Sequence, residues 1–226
     1  GLNWHPKGSF EDSVYYLVGM HFLDMQTGFV LASGPSNNTF GAILKTSDGG
    51  NNWYYVYPFE HTLRLEDIKF LDEMNGVVVG TFDDITTGVV LRTTDGGNSW
   101  NKIILPFLAA VNKITYLNDN TLLLSGTNLV FQGVIYKSED GGVTWQEFRN
   151  YGNMASVNVV SSLPSSGTVL ISGVLDQSGL TMPFTDISID GGLTWHYAQL
   201  SGFQGYAPIN TELFDYSRWY LTGTKN

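Results

Sequence analysis

Four aspartates stand in one local frame. Asp48, Asp95, Asp140 and Asp190 occupy the same place in TSDGGNNW, TTDGGNSW, SEDGGVTW and SIDGGLTW, at separations of 47, 45 and 50 residues. A carboxylate so placed can act as a general base or nucleophile, ligate a cation, or accept hydrogen bonds from its own turn. The neighbouring residues favour the third use. Gly49, Gly96, Gly141 and Gly191 follow the acid and begin a Gly-Gly pair, the composition of a backbone that needs positive φ. Thr46, Thr93, Ser138 and Ser188, two positions before the acid, add a hydroxyl to the same turn, and Trp53, Trp100, Trp145 and Trp195 close the frame with a large apolar face. A catalytic acid is needed once or twice in a site, whereas this one recurs in every unit. The frame also lacks the alternating acids and distal glutamate of an EF-hand calcium loop, and His5, His21, His61 and His196 show no metal-ligand spacing. No metal and no cofactor are expected.

The elements that carry these residues repeat as well. Gly34, Gly80, Gly126, Gly173 and Gly223 each close a short apolar run, 46, 46, 47 and 50 residues apart, so the period recurs five times. Within one copy the runs LEDIKFLD, GVVVGT, GVVLRTT and WNKIIL have strand length and strand composition, separated by turn residues. Four strands per unit of this length is the pattern of a β-propeller blade. The expected architecture is therefore all-β, a propeller of four-stranded antiparallel blades forming one domain over 1–226. The units fall at about 5–53, 54–100, 101–145 and 146–195, with partial units at 1–4 and 196–226. Two arrangements fit such ends: a five-bladed ring closed by both termini, or a piece of a larger propeller, which the missing third strand of a shared blade favours. In the fourth unit Pro183 points to an edge or bulged strand.

Composition removes several function classes. With 21 acidic residues against 11 Lys and Arg, the net charge is −10, which suits neither nucleic acid nor an anionic membrane surface. There is no cysteine, hence no disulfide or thiolate chemistry, and no segment has the apolar length of a membrane span. Modest lysine content and many Asn, Ser, Thr and Gly residues fit a location outside the cytoplasm.

The frame S/T-x-D-G-G-x-x-W resembles the Asp-box, or bacterial neuraminidase repeat. That box occurs in sialidases, oligoxyloglucan-type glycoside hydrolases, sortilin-family receptors and photosystem II assembly factors, all propellers. The wider repeat, FLDEMNGVVVGTFDDITTGVVLRTTDGGNSW at 70–100 and FLDMQTGFVLASG at 22–34, is most similar to the assembly-factor repeats. The resemblance implies that the box is a peripheral structural turn, away from the ligand face. Sialidase chemistry needs three converging arginines. Arg64, Arg92, Arg149 and Arg218 fall before a first strand, in a third strand, in a fourth strand and at a first-to-second turn, which are not equivalent positions.

The opposite face, made of second-to-third and fourth-to-first connections, carries Glu60, Asp83, Asp84 and Asp176, acids that a glycoside hydrolase could pair. Aromatics also recur there, six to eight residues after each box tryptophan: Phe10, Phe59, Phe107, Tyr151 and Phe203. They suit either a binding rim for a protein or glycan or plugs between blades. The expected function is a non-catalytic binding or scaffold propeller whose possible binding face includes Phe59, Phe107, Tyr151, Phe203, Glu60 and Asp83. The alternative is part of a secreted glycoside hydrolase of the Asp-box type, closer to the oligoxyloglucan enzymes than to sialidases. Protein or glycan is the expected partner, without nucleic acid and without membrane insertion.

Overall fold

The computed structural model describes residues 16–34, 40–84, 87–153, 155–177, 180–199, 206–215 and 218–225. These form four four-stranded antiparallel sheets and one two-stranded sheet. The first sheet comprises β1 (Tyr16–Phe22), β2 (Gly28–Ser33), β3 (Phe40–Thr46) and β4 (Tyr54–His61), and the second β5 (Leu63–Phe70), β6 (Gly76–Phe82), β7 (Gly88–Thr93) and β8 (Asn101–Leu105). The third holds β9 (Leu108–Tyr116), β10 (Leu122–Asn128), β11 (Gln132–Ser138) and β12 (Gln146–Asn153). The fourth holds β13 (Ala155–Leu163), β14 (Thr168–Gln177), β15 (Leu180–Ser188) and β16 (His196–Gln199), followed by β17 (Tyr206–Asp215) paired with β18 (Arg218–Lys225). Every sheet is ordered as it runs in the chain, and the first strands stack in succession: β1 on β5, β5 on β9, β9 on β13 and β13 on β17. This is a β-propeller.

Among the described residues no ladder joins β17–β18 to the first sheet. The expected partial unit at 1–4 lies outside the described residues. Each sheet begins one strand later than the repeat units drawn from sequence: the units end at the box tryptophan, whereas the sheet continues through a fourth strand.

Burial explains why the middle strands are continuously apolar. Sheets are sandwiched between neighbouring sheets, so a central strand is covered on both faces, and β2 is buried at every position. Leu31, Phe29 and Ile43 of the first sheet pack with Leu63, Leu65 and Ile68 of β5, while Val77, Val79 and Val90 pack with Leu108, Val111 and Ile114 of β9. Each such side chain contributes about 2 kcal/mol of burial free energy. The outermost strand β8 is largely exposed.

A bulge interrupts each first strand at an equivalent place, leaving Val18, Glu66, Asn112, Asn158 and Ile209 as the extra residue. Those five, with Lys113 and Pro208, line a cavity of about 370 Å³ where the first strands converge. The bulge also dictates the residue across the ladder. A Cβ on Gly80, Gly126, Gly173 or Gly223 would lie 2.4, 2.3, 2.0 or 2.6 Å from a carbonyl oxygen of the first strand. In the first sheet the matching residue is Ala32, opposite Leu17, and not Gly34, which the sequence pattern had aligned with these glycines. Pro183 corrects a second expectation: β15 is an interior strand with an unbroken register to β14, and proline fits because, among the described residues, the ladder to β16 begins at Phe184.

Candidate functional site

Each box joins a third strand to a fourth, and its acid is used entirely by its own turn. In the first box Asp48 Oδ1 accepts from Asn52 N at 2.9 Å and from Thr46 Oγ1 at 2.9 Å, while Oδ2 accepts from Asn52 Nδ2 at 2.7 Å. Thr46 Oγ1 also takes the Gly50 N–H at 2.9 Å. In the second, Asp95 accepts from Ser99 N at 2.9 Å and Ser99 Oγ at 2.6 Å, and in the fourth Asp190 accepts from Thr194 N at 2.8 Å. Asp140 does the same with Thr144 N at 2.9 Å, and Ser138 and Ser188 hold Gly142 N and Gly192 N at 2.8 Å each. The paired glycines adopt φ of 71° and 87° at Gly49 and Gly50, with like values in the other boxes. These bonds favour the charged carboxylate and hold Asp48, through the Asn52 N–H first, and Asp95, through the Ser99 hydroxyl first, at about 2.

The box is also tied sideways. The N–H of Gly49, Gly96, Gly141 and Gly191 donates to a carbonyl of the first-to-second turn of its own sheet, at 2.8 to 3.0 Å. Lys45 Nζ and Arg92 Nε reach the carbonyls of Gly96 and Gly141 in the next sheet's box, both at 2.8 Å. Trp53, Trp145 and Trp195 donate Nε1 to Gly50, Gly142 and Gly192 at 3.2, 3.0 and 2.9 Å. The four acids sit on four separate turns, each bonded within its own turn.

On the opposite face the sequence-derived candidates have different fates. Glu60 accepts from both Tyr57 Oη and Lys102 Nζ, which ties the first sheet to the second and occupies this acid. Asp83 is exposed, and its N–H donates to Thr62 O at 2.7 Å. Phe107 is half-buried and stacks on Tyr136 with ring centroids 4.7 Å apart. Tyr151 lies 4.9 Å from Phe184, donates its hydroxyl to Asp186 Oδ2 at 2.9 Å, and has its phenol pKa raised by burial. These two rings sit in seams between consecutive sheets. Phe59 is in β4 with its side chain outside the described residues, as is that of Asp176, and Phe10 and Phe203 lie outside them altogether.

The three arginines with described side chains do not converge. Arg64 lies within β5, not ahead of it, and pairs with Glu66 at 3.1 Å; Arg92 holds Gly141; Arg149 pairs with buried Asp186 at 2.7 Å beneath the Trp195 ring. The side chain of Arg218 is outside the described residues. Glu66 is the one acid lining the axial cavity among the described residues, with its pKa raised by burial. A single carboxylate offers no acid–base pair there.

Sequence reasoning passed over the hairpin between β10 and β11. Leu129, Val130 and Phe131 form its tip and are 47%, 65% and 70% exposed, on the face opposite the boxes. Phe131 has φ of 60°, and Thr62, on the same face, has φ of 67°. The available signal was NLVFQG, a turn filled with large apolar residues where Gly, Asn or Asp are usual.

A search of curated protein sequences finds no match. Among solved structures, YCF48 bound to D1 peptide is 18% identical over 97% of both chains with a TM-score of 0.47. YCF48 from Cyanidioschyzon merolae is 15% identical over 93% of both chains, with a TM-score of 0.44. The β-propeller domain of the Trilobed protease from Pyrococcus furiosus, described as having an open velcro topology, has a TM-score of 0.55 at 9% identity, over 87% of this chain and 60% of that one. That last likeness is one of fold. The model of the photosynthesis system II assembly factor YCF48 family matches residues 7–164, and with the box and blade geometry above, the chain belongs to that family.

Proposed function

We propose that the chain is a non-catalytic propeller that binds a protein partner through the face opposite its boxes. The family supports a protein partner, since assembly factors act on other proteins. The observation that carries the choice of face is the distribution of left-handed backbone. Among the described residues glycine supplies every positive φ in the turns of the box face, at little steric cost, whereas the opposite face uses, beside Gly152, Thr62 and Phe131, residues that pay for that conformation. Strain of this kind, next to an exposed apolar tip, marks a surface shaped for contact. In the same reading the chain works outside the cytoplasm, which fractionation of the source cells tests.

Site-specific photo-cross-linking decides the face. A benzophenone side chain replacing Asp83 on one face, or Leu193 on the other, is activated in the source cells; both positions are exposed. A discrete protein adduct from position 83 and none from 193 is the expected result. Adducts only from 193, or adducts to glycan alone, would overturn the reading.

A further inference from the structure

The β10–β11 hairpin tip is built unlike a surface turn. Three large apolar residues project in succession, and the backbone beneath them is fixed from several directions. Phe131 N donates to Asn128 O at 3.0 Å, and Asn128 Oδ1 accepts from Val130 N at 3.2 Å and Gln132 N at 2.9 Å. Gln132 then braces the base: its Oε1 accepts from Asn128 Nδ2 at 3.1 Å and Asn150 Nδ2 at 2.9 Å, and its Nε2 donates to Asn153 Oδ1 at 3.0 Å. The collar is made of neutral amides. The charge tied to it is Glu147, reached through Asn150 at 3.2 Å on the side away from the tip.

The third tip residue occupies the left-handed position where a three-residue hairpin loop normally places glycine. An aromatic there costs backbone energy that glycine would not, and the residue, 70% exposed, recovers little by burial in the chain's own core. The shape is therefore held open for something outside the chain.

We propose that Leu129, Val130 and Phe131 are the anchor of the protein interface, receiving an apolar, uncharged stretch of another polypeptide. This rests on the protein-binding reading above and specifies its chemistry. Charge decides the partner class: in a chain of net charge −10 the described side chains bonded at the base of the tip are amides, so an apolar segment docks against them without stripping water from an ion. The same net charge opposes an anionic lipid surface. A braced loop also loses little entropy on docking, so burial of the tip goes largely into affinity.

The test uses the intact chain, a phage-displayed random peptide library, and vesicles of phosphatidylcholine with phosphatidylglycerol. The key variant is Phe131→Gly, which relieves the backbone and removes the ring, with Val143→Ser on the box face as control. The expected result has opposite signs in two readouts: Phe131→Gly raises the thermal midpoint yet weakens the selected peptides about tenfold, the loss typical of an interface anchor. Those peptides are rich in apolar residues and lack charge, and Val143→Ser binds them as the parent does. Selected peptides that bind Phe131→Gly unchanged overturn the anchor while leaving a protein-binding face elsewhere. No peptide enriched by the parent, together with no adduct from position 83, removes both readings. Vesicle co-sedimentation lost in Phe131→Gly overturns the proposal in favour of lipid.

Discussion

Replacing single box tryptophans by phenylalanine separates a scaffolding indole from a merely bulky one, because the four boxes are not equal. Trp145 donates Nε1 to Gly142 O at 3.0 Å, whereas Trp100 Nε1 is buried with no acceptor. The cause lies in the seam between the first two sheets. Phe29 and Phe70 stack with centroids 4.5 Å apart and meet the Trp100 ring edge-on at 6.5 and 6.1 Å, and a Cβ on Gly97 would fall 2.5 Å from Phe29. The aromatic pair sets the indole, and its N–H is left facing none of the box carbonyls. Trp145→Phe loses a made bond, worth about 1 kcal/mol, plus about 1 kcal/mol of buried ring area. Trp100→Phe loses similar area but removes an orphaned donor whose burial costs about 1–3 kcal/mol, so its net effect is near zero. The expected gap is about 2 kcal/mol, or about 4–8 °C in thermal midpoint for a domain of this size. Circular dichroism melts of the parent and the two variants, under one buffer condition, measure it. Equal destabilisation by the two substitutions would refute the reasoning.

Three further outcomes follow from the same contacts. Gly126→Ala puts a Cβ 2.3 Å from Ala110 O, a backbone atom that can yield only if β9 shifts, and should lower stability by about 1–3 kcal/mol in urea melts. Acid should unfold the protein through the boxes. The folded Asp48, Asp95 and Asp190 carboxyls lie at about 2, below the usual value of about 4 for an unfolded chain, so their contribution is present above pH ~4 and fades as pH falls toward 2. Asp95→Asn should flatten the melting temperature against pH across that window. Arg149→Met leaves Asp186, 3% exposed, with the Tyr151 hydroxyl as the one partner of its charged oxygen among the described residues, and should cost about 2 kcal/mol after allowance for the partly exposed guanidinium; Arg149→Met with Asp186→Leu should recover part of this in the same melts.

The repeat was legible because a buried middle strand and a glycine-rich turn both constrain residue type. GVVVGT and GVVLRTT could hardly be anything but strands covered on both faces. The strand order within a blade was legible too, since LEDIKFLD to WNKIIL are β5 to β8; the unit bounds, drawn at the box tryptophan, part the fourth strand from its sheet because the single residue Thr62 between β4 and β5 is shorter than a box. Bulge residues escaped for a related reason. Val18, Glu66, Asn112, Asn158 and Ile209 share no chemistry; what they share is a small residue opposite the position before the bulge, glycine in four sheets and Ala32 in the first. Among the candidate acids, Glu60 looked free in sequence because Lys102, which occupies it, is 42 residues away. The apolar tip was missed because a search for turns by Gly, Asn and Asp reads straight through Leu129–Val130–Phe131.

The two faces of the propeller are under different physical constraints, and this decides where specificity can reside. On the box face the same five polar atoms close the same turn in each blade, with a first-glycine N–H locked to the neighbouring hairpin and, in two seams, a cation from the preceding sheet capping the next box. Changing the Ser/Thr, the Asp or a glycine of a box breaks several bonds at once, so those positions stay uniform and have little to say to a ligand. Among the described residues the opposite loops carry no shared hydrogen-bond set: one is a lone left-handed threonine, another an exposed acid, a third a braced apolar tip. A loop freed from closing the fold can take any side chain without unfolding the blade beneath it. Recognition is therefore expected to follow these connections, and a graft of residues 128–132 onto the β6–β7 connection of a Phe131→Gly chain should move peptide binding with it. If the graft leaves binding absent while the melting midpoint is unchanged, position in the ring and not the tip alone sets recognition.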